Sequence, residues 1–123
     1  MSKRILVVED NSATRVLIED MLAFEGFEVS SVSNGPSALT AIAAGVDLVI
    51  LDVMMPGMDG LSVLREIRAQ DENVDLPVIM LTALDDTDST WAGWRAGCNY
   101  YMNKPFDPDN LVSVVRQLMG VNA

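Results

Sequence analysis

The chain of 123 residues has no histidine, one cysteine and only 8 basic residues to set against 18 acids. Without histidine, mechanisms built on imidazole within one chain are excluded: Ser-His-Asp and Cys-His nucleophile systems, HExxH zinc sites and histidine proton shuttles. The lone Cys98 can close no internal disulfide and build no thiolate metal cluster. That suits a reducing compartment, and Cys98 itself reads as a small buried hydrophobe. The shortage of base leaves a net charge of −10, a field that repels nucleic-acid phosphates and anionic lipid, so neither is an expected direct partner. Long apolar runs are also missing. Lys3-Arg4 precede only the short run Ile5 to Val8, too little for a signal-peptide core. Asp47, Asp52 and Asp59 break up the richest apolar region, well short of the ~20 residues of a membrane span. The expected location is the cytoplasm. Eight glycines and five prolines in a chain that is 50% hydrophobic exclude disorder and collagen-like repeats. One globular unit over residues 1–123 is expected, with no second domain.

What is present alternates between two periods. Ile5 to Val8, Phe27 to Val32, Val46 to Leu51 with Asp47 as its break, and Val78 to Leu81 are short aliphatic runs with little polar alternation. Such runs suit strands covered on both faces, as in a parallel sheet between helices. Helical spacing fills the gaps. Ser12 to Glu25 carries Val16, Leu17, Asp20, Met21, Leu22 and Phe24 on one stripe, with Ser12 as cap and Gly26 as terminator. Gly35-Pro36 opens a second helix that places Ala38, Leu39, Ile42 and Ala43 together before Gly45. Asp59-Gly60 opens a third, with Leu61, Leu64 and Ile67 inward and Arg65, Glu66 and Arg68 outward. Asp85 to Ala96 reads as a fourth. Asp107-Pro108 caps a fifth that carries Leu111, Val114, Val115 and Leu118 and ends at Gly120. A last strand is implied around Asn99 to Met102. Strands and helices alternating in this way predict a right-handed, doubly wound α/β fold of (βα)5 type.

The informative acids stand where apolar strand runs end. Glu9 and Asp10 follow the first and Asp52 follows the third. Open α/β sheets bind ligands outside the carboxyl ends of their strands, where the strand order reverses. If those two strands are neighbours, the three acids share one crevice. Carboxylates within ~4–6 Å of each other repel by several kcal/mol at an effective dielectric near 20, so the cluster calls for a cation. Oxygen donors favour a hard ion, and Mg²⁺, which keeps several waters and shares itself with phosphate, fits better than zinc. Thr82 ends the Val78 run, and Lys104 follows the last strand in Asn103-Lys104-Pro105-Phe106. A hydroxyl donor and an ammonium beside carboxylates and a metal describe a site for a phosphoryl group on Asp52.

Four segments in this order resemble the receiver domains of two-component response regulators, chemotaxis-type regulators among them. They are Ile5-Leu6-Val7-Val8-Glu9-Asp10-Asn11, Leu51 to Gly60 around Asp52, Met80-Leu81-Thr82-Ala83, and Ala96-Gly97-Cys98 through Tyr101 to Lys104-Pro105-Phe106. The resemblance covers essentially the whole chain. It implies a flavodoxin-like three-layer sandwich with a parallel sheet of order 2-1-3-4-5. It further implies that Asp52 takes a phosphoryl group from a phosphohistidine on a sensor histidine kinase or histidine phosphotransfer protein. Mg²⁺ would be held by Asp10, Asp52 and the backbone carbonyl of Met54, with Glu9 acting through water. Lys104 and the Thr82-Ala83 segment would bind the phosphoryl group, Lys104 being oriented by a Lys104-Pro105 bond that is typically cis. Thr82 and Tyr101 would form a switch pair that alters binding to a downstream protein. Such a chain is a signalling phosphoacceptor and not an enzyme, acting as a monomer or as a phosphorylation-dependent dimer. The missing histidine fits, because the donor histidine belongs to the partner.

Local detail bears on these expectations. Met54 and Leu84, two residues beyond Asp52 and Thr82, have no group that could orient a water, so slow self-dephosphorylation is expected. Residues 90–101 would form part of the partner face, with Trp91 or Trp94 as an exposed anchor and Tyr100 turned away from Tyr101. Asp85, Asp86 and Asp88 suit a helix start. Two other functional classes meet obstacles. A haloacid-dehalogenase-type phosphatase would want a second Asp where Met54 stands. A flavin binder would want a phosphate loop where Glu9-Asp10-Asn11 presents anions.

Overall fold

The computed structural model describes residues 3–55, 57–82, 92, 94 and 96–120. Its elements run β1 (Arg4–Val8), α1 (Ser12–Phe24), β2 (Glu28–Val32), α2 (Gly35–Ala43), β3 (Leu48–Asp52), α3 (Gly60–Arg68), β4 (Val78–Thr82), β5 (Tyr100–Asn103) and α4 (Pro108–Met119). A single 3-10 turn, Asp71–Asn73, precedes β4. All strand pairs are parallel and the sheet order is β2-β1-β3-β4-β5. This is the expected doubly wound sandwich. The predicted fourth helix, Asp85 to Ala96, falls mostly outside the described residues, where Asp85, Asp86, Asp88 and Trp91 also lie. Residues 92, 94 and 96 are helical, and Trp94 is 44% exposed.

Alternation along the central strands builds two cores. Leu6, Val8, Val49, Leu51, Val78 and Met80 face Ala38 and Ile42 of α2 and Val63, Leu64 and Ile67 of α3. Ile5, Val7, Leu48, Ile50, Ile79 and Leu81 face Ile18 and Leu22 of α1 and Leu111, Val114 and Val115 of α4. Each Val, Leu, Ile or Met side chain so buried contributes about 1.5–3 kcal/mol. Every residue of β3 and β4 is buried, which is why their sequences read as unbroken apolar runs, whereas β2 at the edge is at most half-buried. Cys98 is buried and free, and burial pushes its thiol up to about 11.

Several local expectations need correction. Asn11, not Ser12, caps α1, its side chain accepting from the Thr14 N–H at 2.9 Å. The stripe of α1 is also turned from the one expected. Ile18 and Leu22 face the core, while Val16, Leu17 and Phe24 are exposed. Apolar residues occupy two adjoining arcs of this helix, and spacing alone cannot say which arc meets the sheet. In α3, Val63 is buried more deeply than Leu61, which is only half-buried. Arg68 does not point outward. Its guanidinium donates to Gly97 O, Asn73 O and Asn99 Oδ1, each at 2.9 Å, and so joins the end of α3 to the approach to β5.

The entry to α3 is tightly packed. Asp59 caps it by accepting from the Ser62 N–H, and the Gly60 N–H donates to Val53 O at 2.9 Å. A Cβ on Gly60 would lie 2.2 Å from the carbonyl oxygen of Asp52 and 2.8 Å from the Cα of Val53. Both obstacles are backbone, so no rotamer change relieves them. Gly60→Ala is expected to cost about 3 kcal/mol, to be read as a lower urea midpoint at unchanged m-value.

Candidate functional site

The carboxyl ends of β1 and β3 lie side by side because these strands pair directly, Val8 opposite Leu51. Glu9 and Asp10 leave the end of β1, and Asp52 is the last residue of β3. One carboxylate oxygen from each of the three lies within 4.8 Å of the others. Glu9 and Asp52 are buried and Asp10 is exposed, so the cluster has two lining groups and one rim group. Lys104, just past β5, reaches across the strand ends. Its Nζ is 2.5 Å from Glu9 Oε1 and 3.4 Å from Asp52 Oδ2. The other oxygen of Asp52, Oδ1, accepts from the Met54 N–H at 3.1 Å.

Thr82 ends β4 and is fully buried. The Lys104 N–H donates to Thr82 O at 2.7 Å, and the Val53 N–H donates to Leu81 O at 3.3 Å. The residues just past β3 and β5 are therefore hydrogen-bonded at backbone level to the last two residues of β4. Tyr101 pairs in register with Met80 and its ring packs, half-buried, against the α2/α3 core. Tyr100 lies beside it and is 36% exposed. The Lys104–Pro105 peptide bond is cis. Ala83 and Leu84 lie outside the described residues.

Two residues escaped the sequence reading. Arg15, one turn into α1, donates from Nη1 to the backbone carbonyl of Glu9 at 2.9 Å and braces the β1–α1 turn. Gly60, read only as the opening of α3, holds that helix against the Asp52 backbone. The signal for Arg15 was its place one helical turn after the Asn11 cap, on the side facing back toward β1.

Burial first, and then the neighbouring Asp52 carboxylate, push Glu9 up to about 7 against the opposing pull of Lys104. Glu9 Oε2 is buried and has no hydrogen-bond partner among the described residues. Clustered carboxylates, an orphaned carboxylate oxygen and an exposed acid at the rim fit a hard divalent cation bound by oxygen. Among the described residues, no helix is long and apolar enough to cross a membrane.

A doubly wound sheet with an acidic cation site at its strand ends, flanked by lysine and threonine, defines a class of phosphoryl-handling signalling domain. Comparison with known proteins agrees. Residues 5–116 match the family model described as response regulator receiver domain, and the chain belongs to that family. The DNA-binding response regulator MtrA of Mycobacterium tuberculosis is 41% identical over 123 residues, covering 99% of this chain and 53% of the relative. The response regulator PleD of Caulobacter vibrioides is 41% identical over 96% of this chain and 26% of its own length. The chain thus spans a quarter to a half of these curated relatives. Among solved structures, the receiver domain of a Pseudomonas aeruginosa sensor histidine kinase superposes with a TM-score of 0.90 at 34% identity, covering 98% of this chain and 99% of that one. It is described with a magnesium ion coordinated in its active site cleft. Receiver domains are signalling phosphoacceptors rather than classical enzymes, and they bind Mg²⁺ at an acidic pocket.

The raised Glu9 pKa has a consequence for stability. The folded state holds the Glu9 proton up to about 7 while the unfolded chain releases it near 4.5. The Glu9 contribution to stability is therefore fully present below the lower value and is lost as pH rises through this window. The fall attributable to Glu9 is on the order of 3 kcal/mol in the absence of divalent cations. Glu9→Gln should flatten that part of the profile, and the difference between the two proteins in denaturant melts from pH 4.5 to 8 isolates it. A difference independent of pH would refute the assignment.

Proposed function

We propose that this chain accepts a phosphoryl group on Asp52 from a phosphohistidine of a sensor histidine kinase or histidine phosphotransfer protein, and so switches its binding to a downstream protein. The observation that carries this reading is the Asp52 carboxylate at the end of β3. It is buried, clustered with Glu9 and Asp10, and faced by the Lys104 ammonium. In the proposed step a carboxylate oxygen of Asp52 attacks phosphorus, the P–N bond to the donor imidazole breaks, and an acyl phosphate forms. Asp10, Asp52 and the Met54 carbonyl would hold Mg²⁺, with Glu9 acting through water. The ion supplies charge neutralisation to the transferring phosphoryl oxygens. Lys104 supplies a further positive charge, which the proximity of its Nζ to Asp52 supports.

The switch belongs to the same proposal. Thr82 would donate its hydroxyl to a phosphoryl oxygen beside the Ala83 backbone, and Tyr101 would follow inward along β5. Their placement on paired strands, two register positions apart and so on the same face of the sheet, supports this coupling. The output surface includes the exposed Trp94 and Tyr100. A cytoplasmic setting, one protein partner upstream and one downstream, and a monomer or phosphorylation-dependent dimer complete the reading over residues 1–123. The expectation of slow phosphoryl loss rests on Met54, whose exposed thioether accepts hydrogen bonds only weakly.

Two measurements test it. Acetyl phosphate with Mg²⁺ should add one phosphoryl group, seen by intact mass, and Asp52→Ala should abolish the gain. Addition that survives this substitution would place the chemistry elsewhere. Once phosphorylated, Met54→Asn should lose its phosphoryl group about two- to tenfold faster than the parent protein, the worth of one hydrogen bond that orients water. An equal or slower decay would remove Met54 from the account of lifetime.

A further inference from the structure

Methionine is plentiful here, eight in 123 residues, but its exposure is uneven. Among the described residues, Met21, Met55, Met58, Met80, Met102 and Met119 are buried or half-buried, whereas Met54 is 53% exposed. Met54 is also the methionine tied to the acidic crevice, because its N–H donates to Asp52 Oδ1 at 3.1 Å. Thioether oxidation follows access to solvent, so a dissolved peroxide meets this sulfur ahead of those packed in the two cores.

We propose that Met54 is an oxidation site through which peroxide shortens the lifetime of the phosphorylated protein. This rests on the reading of Asp52 as phosphoacceptor. The Met54 sulfur attacks one peroxide oxygen. An S–O bond forms as the O–O bond breaks, sulfur gives up two electrons, and the proton released by the sulfur-bound hydroxyl passes through solvent to the departing hydroxide, which leaves as water. The product replaces a weak acceptor with a polar S=O oxygen on the exposed residue whose backbone meets Asp52. That oxygen can hold a water beside the acyl phosphate, the guidance that the thioether does not supply. Because Met54 is exposed, the change leaves both apolar cores intact. The modification is reversible by methionine sulfoxide reductases, so the effect can be undone.

The experiment uses the whole chain and hydrogen peroxide. Peptide mapping during a graded exposure should find the sulfoxide at Met54 before it appears at Met21, Met58 or Met119. Protein oxidised at Met54, then phosphorylated with acetyl phosphate and Mg²⁺ and freed of the donor, should lose the phosphoryl group about two- to tenfold faster than untreated protein. Treatment with the reductases should restore the slow decay. Met54→Leu, compared with its own untreated sample, should show no change on exposure to peroxide. Earlier oxidation elsewhere, or an unchanged decay with Met54 fully oxidised, overturns the proposal while leaving phosphorylation of Asp52 standing. Untreated protein that takes up no phosphoryl group overturns the underlying reading and this one with it.

Discussion

Three carboxylates held within 4.8 Å of one another are the constraint on which the rest depends. No local preference puts them there. β1 and β3 pair directly, and the chain leaves both strands at the same edge of the sheet, so Glu9, Asp10 and Asp52 meet whatever their mutual repulsion. The repulsion is carried by the apolar packing of the strands beneath, whose central members are almost wholly buried. A site assembled against its own electrostatics binds cations strongly, because each positive charge that arrives relieves an existing cost. Lys104 relieves part of it, and the raised Glu9 pKa reflects the part that remains.

Lys104 also shows how the sheet order sets the site. β5 lies three strand spacings from β1, about 14 Å. An ion pair between residues beyond the ends of these strands closes only if both side chains reach inward, and they meet beside Asp52 at the end of β3. The ammonium is therefore shared between the acid that lines the crevice and the acid proposed to react. A divalent cation engaging Glu9 would compete for that contact and leave Lys104 to Asp52 and whatever group it carries. Arg15 acts on the other side of the crevice, where its hydrogen bond to the Glu9 carbonyl holds the turn without adding a donor to the cluster itself.

The features legible in the sequence were those written by long-range burial. β3 and β4 are covered on both faces, so their apolar runs marked them, and the acids and the threonine at their ends were visible as interruptions of those runs. Strand order was not derivable from periodicity; it came from the likeness of the Asp52 and Lys104-Pro105-Phe106 segments to receivers. Features decided by a single neighbour were illegible. The helical wheel of α1 has apolar residues on two arcs, and only contact with the sheet selects Ile18 and Leu22 over Val16, Leu17 and Phe24. Arg68 looked like a solvated charge because its three acceptors come from segments up to 31 residues away, which no local pattern encodes. Gly60 looked like a helix opener, although its need for glycine comes from the backbone of Asp52.

The backbone bonds at the strand ends limit what a switch here can be. Lys104 N–H to Thr82 O, at 2.7 Å, ties the exits of β5 and β4, and Val53 N–H to Leu81 O ties β3 to β4. With the ends of β3 and β5 tied to β4, the phosphoryl group proposed for Asp52 would act on side chains rather than separate these strands. Thr82 is fully buried and Tyr101 half-buried, two register positions apart on paired strands, so the proposed switch would run through the packed layer between sheet and helices. The proposed signal transfer from a buried carboxylate to an exposed surface would then need no large rearrangement of the fold. It would need an aromatic side chain between core and surface, and Tyr101, half-buried on β5 beside the exposed Tyr100, stands there.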